Sequence, residues 1–146
     1  MTTARRTIVG PDGRAKVYRP MTPARREAAV QAGLQAYERG DFFLAHELME
    51  PAWMGASDPS ERALIQGMIK LAAAEVHRVR GNPVGVSKNL EGARAWLRRA
   101  ADAGRTGPEE VDLSALLATI ESRIADPTDA AELPIGLPLT SRSERP

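Results

Sequence analysis

The sequence predicts an all-α protein: a compact bundle of about five helices with short connections, an irregular N-terminal arm and a Pro-rich C-terminal tail. Three observations predict this class. Apolar residues recur at helical spacing in five segments, capping residues precede those segments, and no segment has the pattern of a buried strand. The length of 146 residues suits one domain. We therefore expect a flexible basic arm over residues 1–20, a helical domain over 21–126 and an extended tail over 127–146.

Composition limits both the core and the chemistry. Aromatic residues make up 4% of the chain, so the core must be built mainly from aliphatic residues and Met. The absence of Cys excludes disulfides and leaves any metal site to His and carboxylates. No apolar run approaches the ~18 residues that span a membrane, and no apolar segment near Met1 resembles a signal peptide. We expect a cytoplasmic protein with no cofactor and no membrane partner.

The first 20 residues lack helical periodicity. Pro11-Asp12-Gly13 predicts a turn, and Ala15–Tyr18 fits a short extended piece. Residues 1–26 carry seven basic residues and one Asp, a net charge of +6, which leaves −5 on the rest of the chain. A basic arm on an acidic body can hold nucleic acid, or it can simply solvate the terminus or fold onto its own body.

Capping residues and a helix-ending glycine predict the bounds of the first two helices. Thr22 is an N-cap hydroxyl with Pro23 at the first helical position, and Gly40 ends the helix after about Arg39. Asp41 caps a second helix over about 42–54. Pro51 lies inside that helix and cannot donate to the carbonyl of the residue four before it, which predicts a kink.

The remaining three helices follow the same logic. Asp58 caps a third helix that runs to about Arg80, with Glu61 completing a capping box. Asn82 caps a fourth helix that ends near 103–104, and a fifth fits 112–125. Short connections make consecutive helices antiparallel neighbours. Prolines after residue 126 prevent another long helix, and the tail segment Leu133–Leu139 is apolar enough to lie extended across a groove.

A polar cluster interrupts the apolar faces of the second and third helices. His46 and Glu50 are four residues apart at the border of the core beside Trp53, and Glu47 points more towards water. Glu75 lies inside the apolar arc of the third helix, where a carboxylate needs a partner, and His46 is the obvious one. A second stripe on the third helix, which predicts a second packing surface, consists of Gln66, Lys70, Ala73 and His77.

Three interpretations of this cluster stay open. The first is a metal site that uses His46, Glu50 and Glu75, although zinc and iron sites want three or four certain ligands. The second is acid–base catalysis by a His–Glu pair. The third, which we favour, is a hydrogen-bonded histidine that fixes helix register. The candidate residues are His46, Glu47, Glu50, Trp53, Glu75 and His77, with no metal ligand and no catalytic residue assigned.

Residues 40–53 resemble the signature of the domain of unknown function 309 family. They read GDFFLAHELMEPAW: a Gly, an aromatic pair, then His, Glu, a second Glu and a Trp at fixed offsets. Residues 66–74, and His77 through Asn82, resemble the following helix and turn of the family. The resemblance covers about residues 28–100. A partial similarity to a tetratricopeptide repeat over 36–45 is the alternative, but no second copy follows at the ~34-residue spacing.

The resemblance implies a small helical bundle, plausibly homodimeric, with no established activity. The signature residues that it assigns here are His46, Glu47, Glu50, Trp53, Gly67, His77 and Asn82. Three positions depart from the family pattern: Lys70 stands where Gln is expected, Glu75 stands where an apolar residue is expected, and Pro51 interrupts the signature helix.

We therefore expect a non-enzymatic helical interaction or scaffold domain that forms a homodimer. One alternative is a metal-binding protein or hydrolase-like enzyme that uses the His/Glu cluster. The other is a nucleic-acid-binding protein that uses the basic arm.

Overall fold

The computed structural model describes residues 20–127 and 133–140, together with the backbone of 7–9 and 15–17. The elements are β1 (Thr7–Val9), β2 (Ala15–Val17), α1 (Pro23–Glu38), α2 (Phe42–Gly55), α3 (Pro59–Val79), α4 (Pro83–Asp102) and α5 (Leu113–Ala125). This arrangement confirms the predicted five-helix bundle. β1 and β2 form an antiparallel hairpin inside the predicted arm, with β2 at the expected extended piece. The turn predicted at 11–13 lies outside the described residues.

Side-chain caps begin all five helices because each is preceded by a short oxygen-bearing residue. Thr22 accepts from the Arg25 amide at 3.2 Å, and Asn82 accepts from the Gly85 amide at 3.1 Å. The caps of α2, α3 and α5 are Asp41, Asp58 and Asp112. Glu61, which the sequence placed in a capping box, receives two hydrogen bonds from Arg26 at 2.8 and 3.1 Å and so joins α3 to α1.

Consecutive helices pack against each other as antiparallel neighbours, from α1 on α2 to α4 on α5. The interior is largely aliphatic, as the low aromatic content requires. Its largest fully buried side chains are Trp53, Met49, Met68, Ile69, Leu71, Leu97, Leu113, Leu116, Ile120 and Ile135. Of these ten side chains, Ile135 alone lies outside the helices, because it comes from the tail.

The tail segment 133–140 lies extended on the bundle. Leu139 forms an antiparallel bridge with Val111, in the connection before α5. The Asp112 amide donates to the Pro138 carbonyl, and the Thr140 amide donates to the Glu110 carbonyl, each at 2.7 Å. The tail therefore pairs as a strand would and closes the groove that the helices leave.

Candidate functional site

The six predicted site residues separate into four environments. His46, Glu47 and Glu50 lie on α2, where His46 and Glu50 are half-buried and Glu47 is exposed. Trp53 of α2 and Glu75 of α3 are both buried, and His77 lies in the last turn of α3, in contact with Asn82 of the turn to α4. The structure therefore does not bring the six together as one site.

His46 makes its ion-pair contact with its neighbour Glu47, whereas the sequence analysis paired it with Glu50. Nδ1 of His46 lies 3.4 Å from Oε1 of Glu47. This contact lacks hydrogen-bond geometry, since the buried Nδ1 atom has no hydrogen-bond partner. The imidazole is 27% exposed, so water can approach the rest of the ring. Nδ1 therefore makes none of the hydrogen bonds expected of a histidine that fixes helix register.

Trp53 is 1% exposed, as expected of a residue that covers the core. The guanidinium carbon of Arg62 lies 5.4 Å from the centre of the Trp53 ring, within the range of a cation–π contact. The indole Nε1 and the Arg62 Nε are buried without hydrogen-bond partners. Trp53 therefore joins α2 to α3 through packing and the Arg62 contact.

Glu75 is the best-defined polar residue of the molecule, and the prediction that it binds His46 is wrong. It is 3% exposed. Its Oε1 accepts from Arg78 Nε at 2.6 Å, one turn along α3. Its Oε2 accepts from the backbone amide of Ile135 at 2.8 Å. These bonds satisfy a buried carboxylate without any contribution from α2.

Tyr37 completes the arrangement, which we call the tail clamp: Tyr37, Glu75 and Arg78. The Tyr37 hydroxyl donates to the Ile135 carbonyl at 2.6 Å and lies 3.4 Å from Oε2 of Glu75. Both backbone groups of Ile135 are thus bound, while its side chain is 1% exposed. The clamp holds one residue of the tail by its backbone, and the core buries the side chain of that residue.

Electrostatics in the clamp favour a neutral phenol. Burial, and then the nearby Glu75 carboxylate, raise the pKa of Tyr37 well above its ordinary value of 10.0. Arg78 and Arg123 act in the opposite direction but more weakly. Tyr37 therefore stays protonated and donates its hydrogen bond to the tail across the neutral pH range.

His77 supports the turn between α3 and α4. Its Nδ1 lies 3.2 Å from Nδ2 of Asn82, whose Oδ1 caps α4. The ring packs so closely against Gly85 that a Cβ there would overlap it. His77, Asn82 and Gly85 therefore act as one structural unit that joins the two helices.

The second stripe of α3 is covered by α4. Gln66 is 5% exposed, and the Lys70 stem passes within 3.3 Å of the Cβ position of Gly92. Burial, and then the charge of Lys88, lower the pKa of Lys70. A second packing surface was correctly predicted, but its partner lies within the chain. This second packing surface therefore gives no argument for a dimer.

Within 20–127 and 133–140, no three His, Asp or Glu residues lie close enough together to hold a metal ion. In the same part of the chain, no helix combines the length and the apolar character needed to cross a membrane. The basic side chains on which the nucleic-acid hypothesis depends lie mostly in 1–19, outside the described residues.

Sequence reasoning missed three residues that organise the centre of the molecule: Tyr37, Arg78 and Ile135. Arg78 had a local signal, because it stands three residues after Glu75 on the same helix. Tyr37 has the helical spacing of the apolar stripe of α1, and its hydroxyl was the overlooked signal. Ile135 is 60 residues from Glu75, and no local pattern connects the two.

Comparison with known proteins confirms the family resemblance. Residues 30–89 match the family model described as domain of unknown function, DUF309. The match includes the signature residues of α2, Glu75, and the turn of His77 and Asn82. The tail and Ile135 lie outside it. No curated protein matches the chain.

Proposed function

We propose that this chain is a non-enzymatic interaction domain that binds a second copy of itself through one end of the bundle. One observation carries the proposal. The described residues include six large apolar side chains that are exposed, and five of them belong to the same end. This set, the apolar end, consists of Phe43, Leu44, Val79, Val84 and Leu133. The sixth, Leu139, lies at the opposite end beside Val111.

The antiparallel arrangement of the helices explains why these residues lie at the same end of the bundle. The last turns of α1, α3 and α5 and the first turns of α2 and α4 share one end of the bundle. Three contacts support this placement. The Arg78 guanidinium lies 5.9 Å from the Phe42 ring centre, and Asn82 contacts His77. Arg123 near the end of α5 donates to the Leu133 carbonyl at 2.7 Å.

The exposed fractions of these side chains show that the described part of the chain does not cover them. Val79 is 67% exposed, Val84 is 69% exposed and Phe43 is 59% exposed. Single exposed apolar residues are ordinary on protein surfaces, but concentration of several at one end is typical of interaction sites. A two-fold contact between two copies would bury each set against its equivalent and close the assembly. The homodimer and the cytoplasmic location stay predictions from the sequence.

Sedimentation velocity tests the proposal over a range of about 1 to 100 µM protein, where a weak dimer forms or dissociates. We expect the wild type to shift from monomer to dimer. The variant Val79→Ser/Val84→Ser should stay monomeric, because its apolar contact area is reduced. Both valines are mostly exposed, so the change should alter folding stability little.

Leu139→Ser is the matched control, because Leu139 is 49% exposed but lies at the other end. It should dimerise as the wild type does. A wild type that remains monomeric throughout would refute self-association. A double-serine variant that dimerises normally would show that the interface lies elsewhere.

A further inference from the structure

A cavity of about 260 Å³ lies between the last turns of α3 and α5 and the first turns of α4. Val86 and Leu90 form a buried apolar floor, and Ile124 forms part of an apolar wall. Two guanidinium groups, from Arg78 and Arg123, line the same space. None of the described residues that line it is acidic. The cavity thus combines an apolar interior with positive charge.

The charge of the two arginines is only partly neutralised. Arg78 Nε is bonded to the buried Glu75 carboxylate, which offsets one positive charge. Arg123 Nη1 donates to the carbonyl of Leu133, a neutral acceptor. A cavity wall with two guanidinium groups and one carboxylate behind it favours an anion.

The start of α4 adds to this preference. Asn82, its N-cap, and Pro83, its first residue, both line the cavity. The N-terminus of a 20-residue helix carries partial positive charge from its aligned peptide groups. The helix end and the two arginines therefore act on the same space from separate elements.

We propose that this cavity binds a small organic carboxylate with an apolar chain. The carboxylate would pair with Arg123 and Arg78 near the start of α4, and the chain would lie over Val86 and Leu90. An inorganic anion would leave the apolar floor in contact with water. The volume is just below the ~300–1,000 Å³ of pockets for drug-sized ligands, so the ligand is a smaller one. This proposal depends on the cavity and not on self-association.

Hexanoate is a suitable probe, with hexan-1-ol as the matched uncharged compound. Amide chemical shifts of the full-length protein should report saturable hexanoate binding at cavity residues, with a Kd of about 1 mM. Hexan-1-ol should bind at least about tenfold more weakly, because it cannot pair with a guanidinium. Arg123→Gln should weaken hexanoate binding by about tenfold or more.

Arg98→Gln is the control for loss of a positive charge, because Arg98 pairs with Glu121 away from the cavity. It should bind hexanoate as the wild type does. Ser87→Phe provides an independent variant: Ser87 is exposed on α4 and lines the cavity, so a phenyl ring should block it without touching either arginine. The proposal fails if hexan-1-ol binds as tightly as hexanoate. It also fails if hexanoate shifts no cavity amide, or if Arg123→Gln and Ser87→Phe both bind normally.

Discussion

Glu75 is nearly inaccessible to water, and yet both of its carboxylate oxygens are bonded. Its charge is matched by Arg78, and its second oxygen accepts from a backbone amide of the tail. A buried carboxylate that lost these bonds would cost several kcal/mol of stability. Glu75, one of the three residues that depart from the family pattern, is therefore bonded both within α3 and to the tail.

Tyr37 should make the stability of the protein sensitive to alkaline pH. Because its folded pKa lies above 10.0, the folded state holds the phenol proton more tightly than the unfolded state does. The stabilisation is complete below the unfolded pKa and is lost as the pH rises through the folded pKa. Ionisation would also place a phenolate beside the Glu75 carboxylate.

Urea unfolding of the wild type and Tyr37→Phe at about pH 8 and about pH 11 checks this expectation. Near neutrality the wild type should be more stable by about 0.5–1.5 kcal/mol, since Phe cannot bond the Ile135 carbonyl. That advantage should shrink above about pH 10. All other titrating groups are common to both proteins. An advantage that is constant over the range would show that Tyr37 does not titrate with unfolding.

The sequence could identify Glu75 as anomalous but not its partner. Helical periodicity places a residue on a face, and Glu75 falls on an apolar one. His46 was the candidate because it is a base on the neighbouring helix, across the expected interface. Arg78, one actual partner, is close in sequence, but the other, the Ile135 amide, comes from a tail whose path depends on how the helices pack. His46 instead lies half-buried beside Glu47.

Among the helices, α3 and α4 make the closest contact, and glycines allow it. A Cβ at Gly67 would lie 2.5 Å from the Leu97 side chain and 3.2 Å from its backbone nitrogen. A Cβ at Gly92 would lie 3.3 Å or more from the Lys70 side chain, which is flexible. A side chain at Gly67 would therefore meet a neighbour that is fixed by its backbone, whereas one at Gly92 would meet a flexible side chain.

Gly67→Ala should destabilise the protein by about 1–3 kcal/mol, because Leu97 cannot move without its backbone. Gly92→Ala should be neutral or should stabilise by about 0.4–1 kcal/mol, because alanine limits the unfolded chain and favours helix. Denaturant unfolding of the two variants provides the measurement. Equal effects of the two substitutions would contradict the assigned contact.

Helix boundaries were predictable because their causes are local. Thr22, Asp41, Asp58 and Asn82 bind amides two or three residues away, so each cap is visible in a short window of sequence. Gly40 and Gly81 end helices with φ of 84° and 71°, which glycine adopts most readily. The pairing of the second α3 stripe with α4 was less predictable, because it requires the relative rotation of two helices.

At the scale of the whole molecule, the two ends of the bundle differ. One end carries the apolar set of Phe43, Val79 and Val84 together with the cavity between α3, α4 and α5. The other holds the bridge between Val111 and Leu139. The tail runs from Leu133 at the apolar end to Leu139 at the other end, and the tail clamp binds it at Ile135. Protein contacts and ligand binding are both proposed at the apolar end, to which the tail contributes Leu133.

Hydrogen exchange at the Ile135 amide tests the central claim most directly: Glu75 holds the tail and is not part of a site with His46. The variants are Glu75→Leu, which keeps similar volume but lacks an acceptor, and His46→Ala. Ile135 exchange should accelerate by at least about tenfold in Glu75→Leu and stay unchanged in His46→Ala, while core amides of α3 remain protected in both. Slow exchange at Ile135 in Glu75→Leu, or equal acceleration in His46→Ala, would contradict the account.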